Sequence, residues 1–157
     1  MRPQRLRAVA LVVVNPAGEI LVLQEFVSKP TLGKFAGMFS VPMETCHHGE
    51  PDLLALKRLH DEELTGLPFM GKPTRIGAYR VAPQAWAKLY TMSVERVAPI
   101  IGQTFEVGNH QWVPVQDALG LWLRRGAPEM IQDYAAGHRN VVRRACIDVP
   151  HSELMRA

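Results

Sequence analysis

Cysteine is scarce in this chain: Cys46 and Cys146 are the two in 157 residues. Two thiols make no disulfide framework, so a reducing, cytoplasmic setting is expected. Long hydrophobic runs are also lacking. The apolar run 8–14 follows Arg2, Arg5 and Arg7 in the manner of a signal peptide, but it is too short to span a membrane. It ends at the turn sequence Asn15-Pro16-Ala17-Gly18, so a β-strand explains it better. No charge of one sign dominates. The formal charge of +3 and a pI near 9.1 slightly favour anionic ligands without making a nucleic-acid signature. Aromatic residues are 7% of the chain, and Trp86, Trp112 and the tyrosines form no stacking platform for nucleic acid. Repeats and low-complexity tracts are absent. What remains is an ordinary globular composition, 47% hydrophobic and 21% charged. It predicts a single domain over 1–157, with a core at about 6–147 and a loose tail at 148–157.

Hydrophobic periodicity orders the elements. Leu6–Val14 reads as a buried strand, 15–18 as a turn, and 20–26 as the second strand of a hairpin. A loop at 27–34 leads to a short strand at 37–42. A helix follows from Pro51 to a stop at Gly66, with 68–73 as a connector. Segments 74–81 and 86–95 alternate as an antiparallel pair around Pro83-Gln84, and 97–101 extends a strand. A turn at 102–108 and a strand at 110–115 come next. Then 116–125 reads as a helix broken by Gly126 and Pro128, and 129–146 as a second helical region interrupted at Gly137. Strands, a helix, more strands, then helices make an α+β fold with a mixed sheet.

The helix that begins at Pro51 carries the chemistry. At about 100° per residue, Leu53, Leu56, His60 and Leu64 share one side, which suits a core. Leu59, Glu62 and Glu63 are neighbours at i, i+3 and i+4. Adjacent carboxylates repel unless a cation or an arginine lies between them. Arg58 stands four residues before Glu62 and can hold it. Paired carboxylates also suit a hard divalent cation that keeps sites for water and phosphate.

The spacing resembles the Nudix box: glycine, five residues, glutamate, seven residues, then arginine-glutamate-hydrophobic-any-glutamate-glutamate-any-glycine-hydrophobic. Glu50, Arg58, Glu62 and Glu63 fall in register. Glu44 stands at the first glycine, Leu59 at the first glutamate of the triplet and His60 at a hydrophobic position, and one residue is inserted before Gly66-Leu67. Gly37-Met38-Phe39-Ser40-Val41-Pro42 is similar to the strand entering the box. Trp112-Val113-Pro114-Val115 with Gln116-Asp117-Ala118-Leu119 is similar to the family's late strand and following helix.

The resemblance implies an α/β/α sandwich and metal-dependent hydrolysis by water of a nucleoside diphosphate linked to another group. Glu62, Glu63 and Arg58 would be catalytic, and Glu62, Glu63, Glu50 and Glu44 would surround Mg²⁺ or Mn²⁺. Glu44 either replaces in part the ligand missing at Leu59 or points to solvent. Glu106 and His110, before Trp112, are further acid or base candidates from a late loop. The expected partner is a small diphosphate-containing ligand, with no membrane, no specific nucleic acid, and a homodimer. Because Leu59 can neither bind metal nor accept a proton, a catalytically impaired binding or regulatory module is the alternative. In the five-residue spacer between Glu44 and Glu50, Cys46, His47 and His48 lack the spacing of a zinc site and read as a polar loop. His60 reads as a satisfied, partly buried histidine. Arg139, Arg143 and Arg144 read as a solvated basic face at helical spacing.

Overall fold

The computed structural model describes residues 5–98 and 104–147. Its centre is β1 (Leu6–Val14). Val9, Leu11 and Val13 face one way and Ala10 and Val12 the other, and all five are buried. A strand apolar on both faces belongs in the middle of a sheet. β1 runs parallel to β6 (Ala85–Val94), from Leu6↔Ala85 to Val14↔Ser93. It pairs antiparallel with β2 (Ile20–Glu25) and β4 (Met43–Thr45). β2 in turn takes β3 (Phe39–Ser40) and β7 (Val107–Val113), both antiparallel. On the other side β5 (Phe69–Ala82) is antiparallel to β6, and β8 (Val141–Arg143) is parallel to β5. Among the described residues these strands form one mixed sheet, in the order β3-β2-β1-β6-β5-β8 with β4 beside β1 and β7 beside β2.

Helices cover both faces. α1 (Asp52–Glu63) packs Ala55, Leu56 and Leu59 on Val9, Leu11 and Val13, with Leu21, Leu64 and Leu67 completing that core. α2 (Val115–Leu119) and α3 (Ala127–Ala135) cover Ala10 and Val12, with Ile76, Tyr79, Leu123, Met130 and Ile131. Each fully buried Leu, Ile or Val side chain contributes about 1.5–3 kcal/mol. The architecture is α+β, an α/β/α sandwich with a mixed sheet, as expected.

Several elements differ from the sequence reading. Of the expected stripe Leu53, Leu56, His60 and Leu64, Leu56 and Leu64 are buried, but Leu53 is 62% exposed and His60 only partly buried, and Ala55 and the fully buried Leu59 complete the core side instead. The helix offered two apolar stripes; ties at its start, from Arg7 to Asp52 Oδ1 (2.9 Å) and from Tyr90 to Asp52 Oδ2 (2.7 Å), fix the one that meets the sheet. The 15–18 turn forms, with Asn15 Oδ1 accepting from the Ala17 and Glu19 amides. The hairpin then splays, because β4 claims the edge of β1 at Ala8–Ala10. The helix at 116–125 stops at Leu119. Beyond it the backbone bonds β3 instead, with Phe39 N to Trp122 O at 2.7 Å and Arg124 N to Phe39 O at 2.9 Å. The 129–146 region is helical only to Ala135, and Val141–Arg143 is a strand. Arg139, Arg143 and Arg144 therefore do not share a helix. The 68–73 connector belongs largely to β5. Of the 97–101 extension, Val97 and Ala98 are not strand. Residues 99–103 and the tail at 148–157 lie outside the described residues.

Candidate active site

The stretch before α1 is held by one arginine. Arg58 donates to Glu50 through Nη2 to Oε1 (2.9 Å) and Nε to Oε2 (3.2 Å). It also reaches Glu44 Oε1 through Nη1 (2.9 Å) and the Thr45 carbonyl (2.8 Å). A planar fork that grips carboxylates from two segments fixes them relative to the helix. The hydrogen bond from Arg58, with that from the His47 amide, holds the Glu50 carboxyl down at about 2. The role expected of Arg58 is corrected: it orients Glu50 and Glu44, not Glu62. Glu62 lies one turn along, exposed, and in contact with Glu44.

Glu63 differs from its neighbour. Its Oε2 is buried without a hydrogen-bond partner. Burial first, then the charges of Glu44 and Glu25, push its carboxyl up to about 8. Burial, opposed by Arg58, also raises Glu44. Glu63 and Glu44 line a cleft of about 80 Å³ with Glu25, Lys34, Glu106 and Arg124. The floor of the cleft is a buried ion network: Lys34 Nζ to Glu25 Oε2 at 3.1 Å and Arg124 Nη1 to Glu25 Oε1 at 3.3 Å. Gly33 sets the approach of that lysine. Its φ is +72°, and a Cβ there would meet the Val81 carbonyl oxygen at 2.6 Å.

No family model and no curated protein matches the chain. Solved structures do match. The Nudix domain of Shewanella oneidensis NrtR, solved with ADP ribose, aligns with a TM-score of 0.66 at 15% identity, over 87% of this chain and 90% of that one. The C-terminal domain of mouse MUTYH, solved with human PCNA, gives 0.65 at 14%, over 90% and 95%. A C. elegans Ap4A hydrolase in a binary complex gives 0.58 at 18%, over 84% and 96%. The chain has the Nudix fold.

On this fold the degenerate box can be placed residue by residue. Glu44, Glu50, Arg58, Glu62 and Glu63 gather where α1 meets β4, while Leu59 turns away into the core beneath the helix. A hard divalent cation needs oxygen donors, and often takes only one or two carboxylates besides water and phosphate. Glu63, with its unpartnered Oε2, and Glu44 suit that need as a pair, with Glu62 against Glu44. Glu50 does not fit it, because Arg58 and the His47 amide engage both of its oxygens. Among the described residues no three acids or imidazoles converge as a ready-made metal site.

The remaining candidates separate cleanly. Glu106 lines the cleft and pairs with Lys29 Nζ at 2.9 Å, which holds its carboxyl below the ordinary range. His110 on β7 packs behind Glu63, hydrogen-bonded to its backbone. Burial lowers its pKa, and Nε2 has no partner. His60 is partly buried and satisfied as expected, with Nε2 3.2 Å from the Leu67 carbonyl and its ring 4.9 Å from Phe69. The sequence reading missed Glu25, Lys29, Lys34 and Arg124. The one local signal was Glu25 ending the apolar run of β2, where a charged side chain facing inward needs a partner.

No helix among the described residues is long and apolar enough to cross a membrane.

Proposed function

We propose that the chain is a Nudix-type hydrolase that binds a nucleoside diphosphate linked to a further group and cleaves its pyrophosphate bond with water. The observation that carries this reading is Glu63: a carboxyl whose Oε2 is buried without a partner, near Glu44, Glu62 and Glu25, at the head of a cleft that also presents Lys34 and Arg124. Such a place favours a bound cation. Mg²⁺ or Mn²⁺ would neutralise phosphate charge and favour the ionised form of the attacking water. Glu62 and Glu63 would hold it, with Glu44 beside them. Arg58 fixes Glu44 and Glu50 so that the loop before α1 keeps its shape when the ligand arrives. Lys34 and Arg124 would place positive charge near the phosphates. Water adds to one phosphorus, the bridging P–O bond breaks, and the proton lost by water passes to a carboxylate such as Glu44. The protein would act as one domain in a reducing cytoplasm and as a homodimer. The ADP ribose and Ap4A named with two solved neighbours support a diphosphate ligand.

The experiment is a screen of nucleoside diphosphate conjugates with Mg²⁺ or Mn²⁺ at slightly alkaline pH, following phosphate-containing products. Turnover that disappears on chelation supports the enzyme. A second reading, a Nudix-fold module that binds such ligands with little turnover, is favoured by the burial of Leu59, which leaves the box without its first carboxylate. Saturable ligand binding without product would select it. Neither binding nor product would overturn both.

A further inference from the structure

Arg5, Arg80 and Arg144 are far apart in the sequence, yet they surround one hollow at the end of the sheet. The backbone brings them there. The Leu6 amide donates to the Gln84 carbonyl at 2.7 Å, which sets Arg5 beside the turn between β5 and β6. β8 joins β5 in the register Tyr79↔Arg143, so Arg144 follows alongside Arg80. Arg80 is itself held, with Nε and Nη2 donating to the Pro83 carbonyl at 3.2 and 2.8 Å. These residues, with Pro83, Gln84 and Trp86, line a space of about 270 Å³. A second space of about 220 Å³ adjoins it, sharing Arg80, Pro83 and Arg144 and adding Arg125.

Among the described residues that line it, the charge here is of one sign. Among the described residues no carboxylate lines either space. Arg5, Arg80 and Arg144 are exposed. Bringing like charges together in a concavity opposes folding, and the repulsion is relieved by an anion. Guanidinium forks match phosphate oxygens in pairs; Arg5 and Arg144 bring such forks to the hollow and Arg80 adds its charge and Nη1 beyond the bonds to Pro83, so the three suit several linked phosphoryl groups better than one. The half-buried indole of Trp86 supplies a flat wall. This hollow shares no lining residue with the Glu63 cleft.

We propose that the arginine hollow is a second binding site, for an oligophosphate: a small anion with at least two linked phosphoryl groups. It needs no metal and does not depend on hydrolysis at Glu63. The test is calorimetric titration of the full chain with inorganic tripolyphosphate in the presence of a chelator. The wild-type chain should bind at one site. Arg80→Ala with Arg144→Ala should weaken binding at least tenfold in a chain that still melts cooperatively. Arg80→Lys with Arg144→Lys should fall between, since charge is kept and the forks are lost. Arg5→Ala lies outside every helix and strand and serves as a further variant if the double alanine chain does not fold. Glu63→Gln should bind tripolyphosphate as the wild type does. Absence of binding, equal binding by the arginine variants, or loss of binding in Glu63→Gln would overturn the assignment. So would a short oligothymidylate that binds more tightly than tripolyphosphate, because the hollow would then belong to a nucleic-acid backbone.

Discussion

Arg58 and Glu50 meet through two parallel hydrogen bonds, Nη2 to Oε1 at 2.9 Å and Nε to Oε2 at 3.2 Å, and the same guanidinium takes Glu44 at 2.9 Å. One residue of α1 thus fixes two carboxylates that precede the helix. A point charge cannot do this. Arg58→Lys should lower metal-dependent turnover roughly tenfold and destabilise the chain by about 1–2 kcal/mol, because lysine keeps the charge without the fork. Parallel kinetics and thermal melting check it. Unchanged turnover would leave Arg58 as a simple surface pair.

Glu63 makes stability depend on pH. Its folded pKa of about 8 lies above the ordinary 4.5, so the fold favours the protonated form. The resulting contribution is fully present below about 4.5 and is lost as pH rises through about 8. Glu63→Gln should abolish that slope and make the variant the more stable chain at pH 9, by about 2–4 kcal/mol. Denaturant melts of both chains from pH 5 to 9 provide the measurement; parallel profiles would reject the burial argument.

The same carboxyl predicts how metal affinity changes. A cation at the proposed site would need Glu63 ionised, so Mg²⁺ affinity should rise up to tenfold per pH unit between pH 6 and 8 and then level off. Binding should release a proton below pH 8. Glu63→Gln should bind Mg²⁺ at least tenfold more weakly and lose the pH dependence. Calorimetry in buffers of different ionisation enthalpy reads the proton directly. A flat affinity profile in the wild type would remove Glu63 from the metal site.

Leu59 packs among Val9, Leu11 and Leu64 with no exposed surface. A carboxylate there would be buried without a partner. Leu59→Glu should therefore destabilise by about 2–5 kcal/mol and confer no gain in Mg²⁺ affinity or turnover. A variant that stays stable and binds Mg²⁺ more tightly would show that the helix can turn this position into the cleft.

Asp133 clasps β8. It accepts from Tyr79 Oη (2.8 Å), His138 Nδ1 (2.9 Å) and the Arg143 guanidinium (2.7 and 3.1 Å). Burial opposes its ionisation, yet hydrogen bonds from Arg143, His138 and Tyr79 hold it down at about 2. Its contribution is present above about 3.8 and is lost as pH falls through about 2. Asp133→Asn should destabilise by about 2–4 kcal/mol at neutral pH. It should also speed amide exchange at Val141–Arg143 more than in β1. Equal exchange in both strands would count against a local clasp.

The sequence by itself determined the buried strand Leu6–Val14, the helix that follows Pro51 and the spacing of Glu50, Arg58, Glu62 and Glu63, though not that Arg58 meets Glu50 and Glu44 rather than Glu62. Those features are local: an apolar strand such as Leu6–Val14 and carboxylates at helical spacing are legible because short stretches of backbone repeat with a fixed period. It could not decide which stripe of α1 is buried, since Leu53 and Leu59 are equally apolar and the rotation is set by tertiary contacts such as the ties at Asp52 and the grip of Arg58 on Glu44. It could not show that 122–124 would bond β3 or that 141–143 would join β5, because a strand partner far along the chain competes with helix formation and leaves no local mark. Tertiary structure alone set Glu25 between Lys34 and Arg124, buried Glu63 beside them, and drew Arg5, Arg80 and Arg144 around one hollow. Each of these charges acquires its chemistry from neighbours brought close by folding, and the free energy of a charge depends on distance and burial rather than on position in the chain.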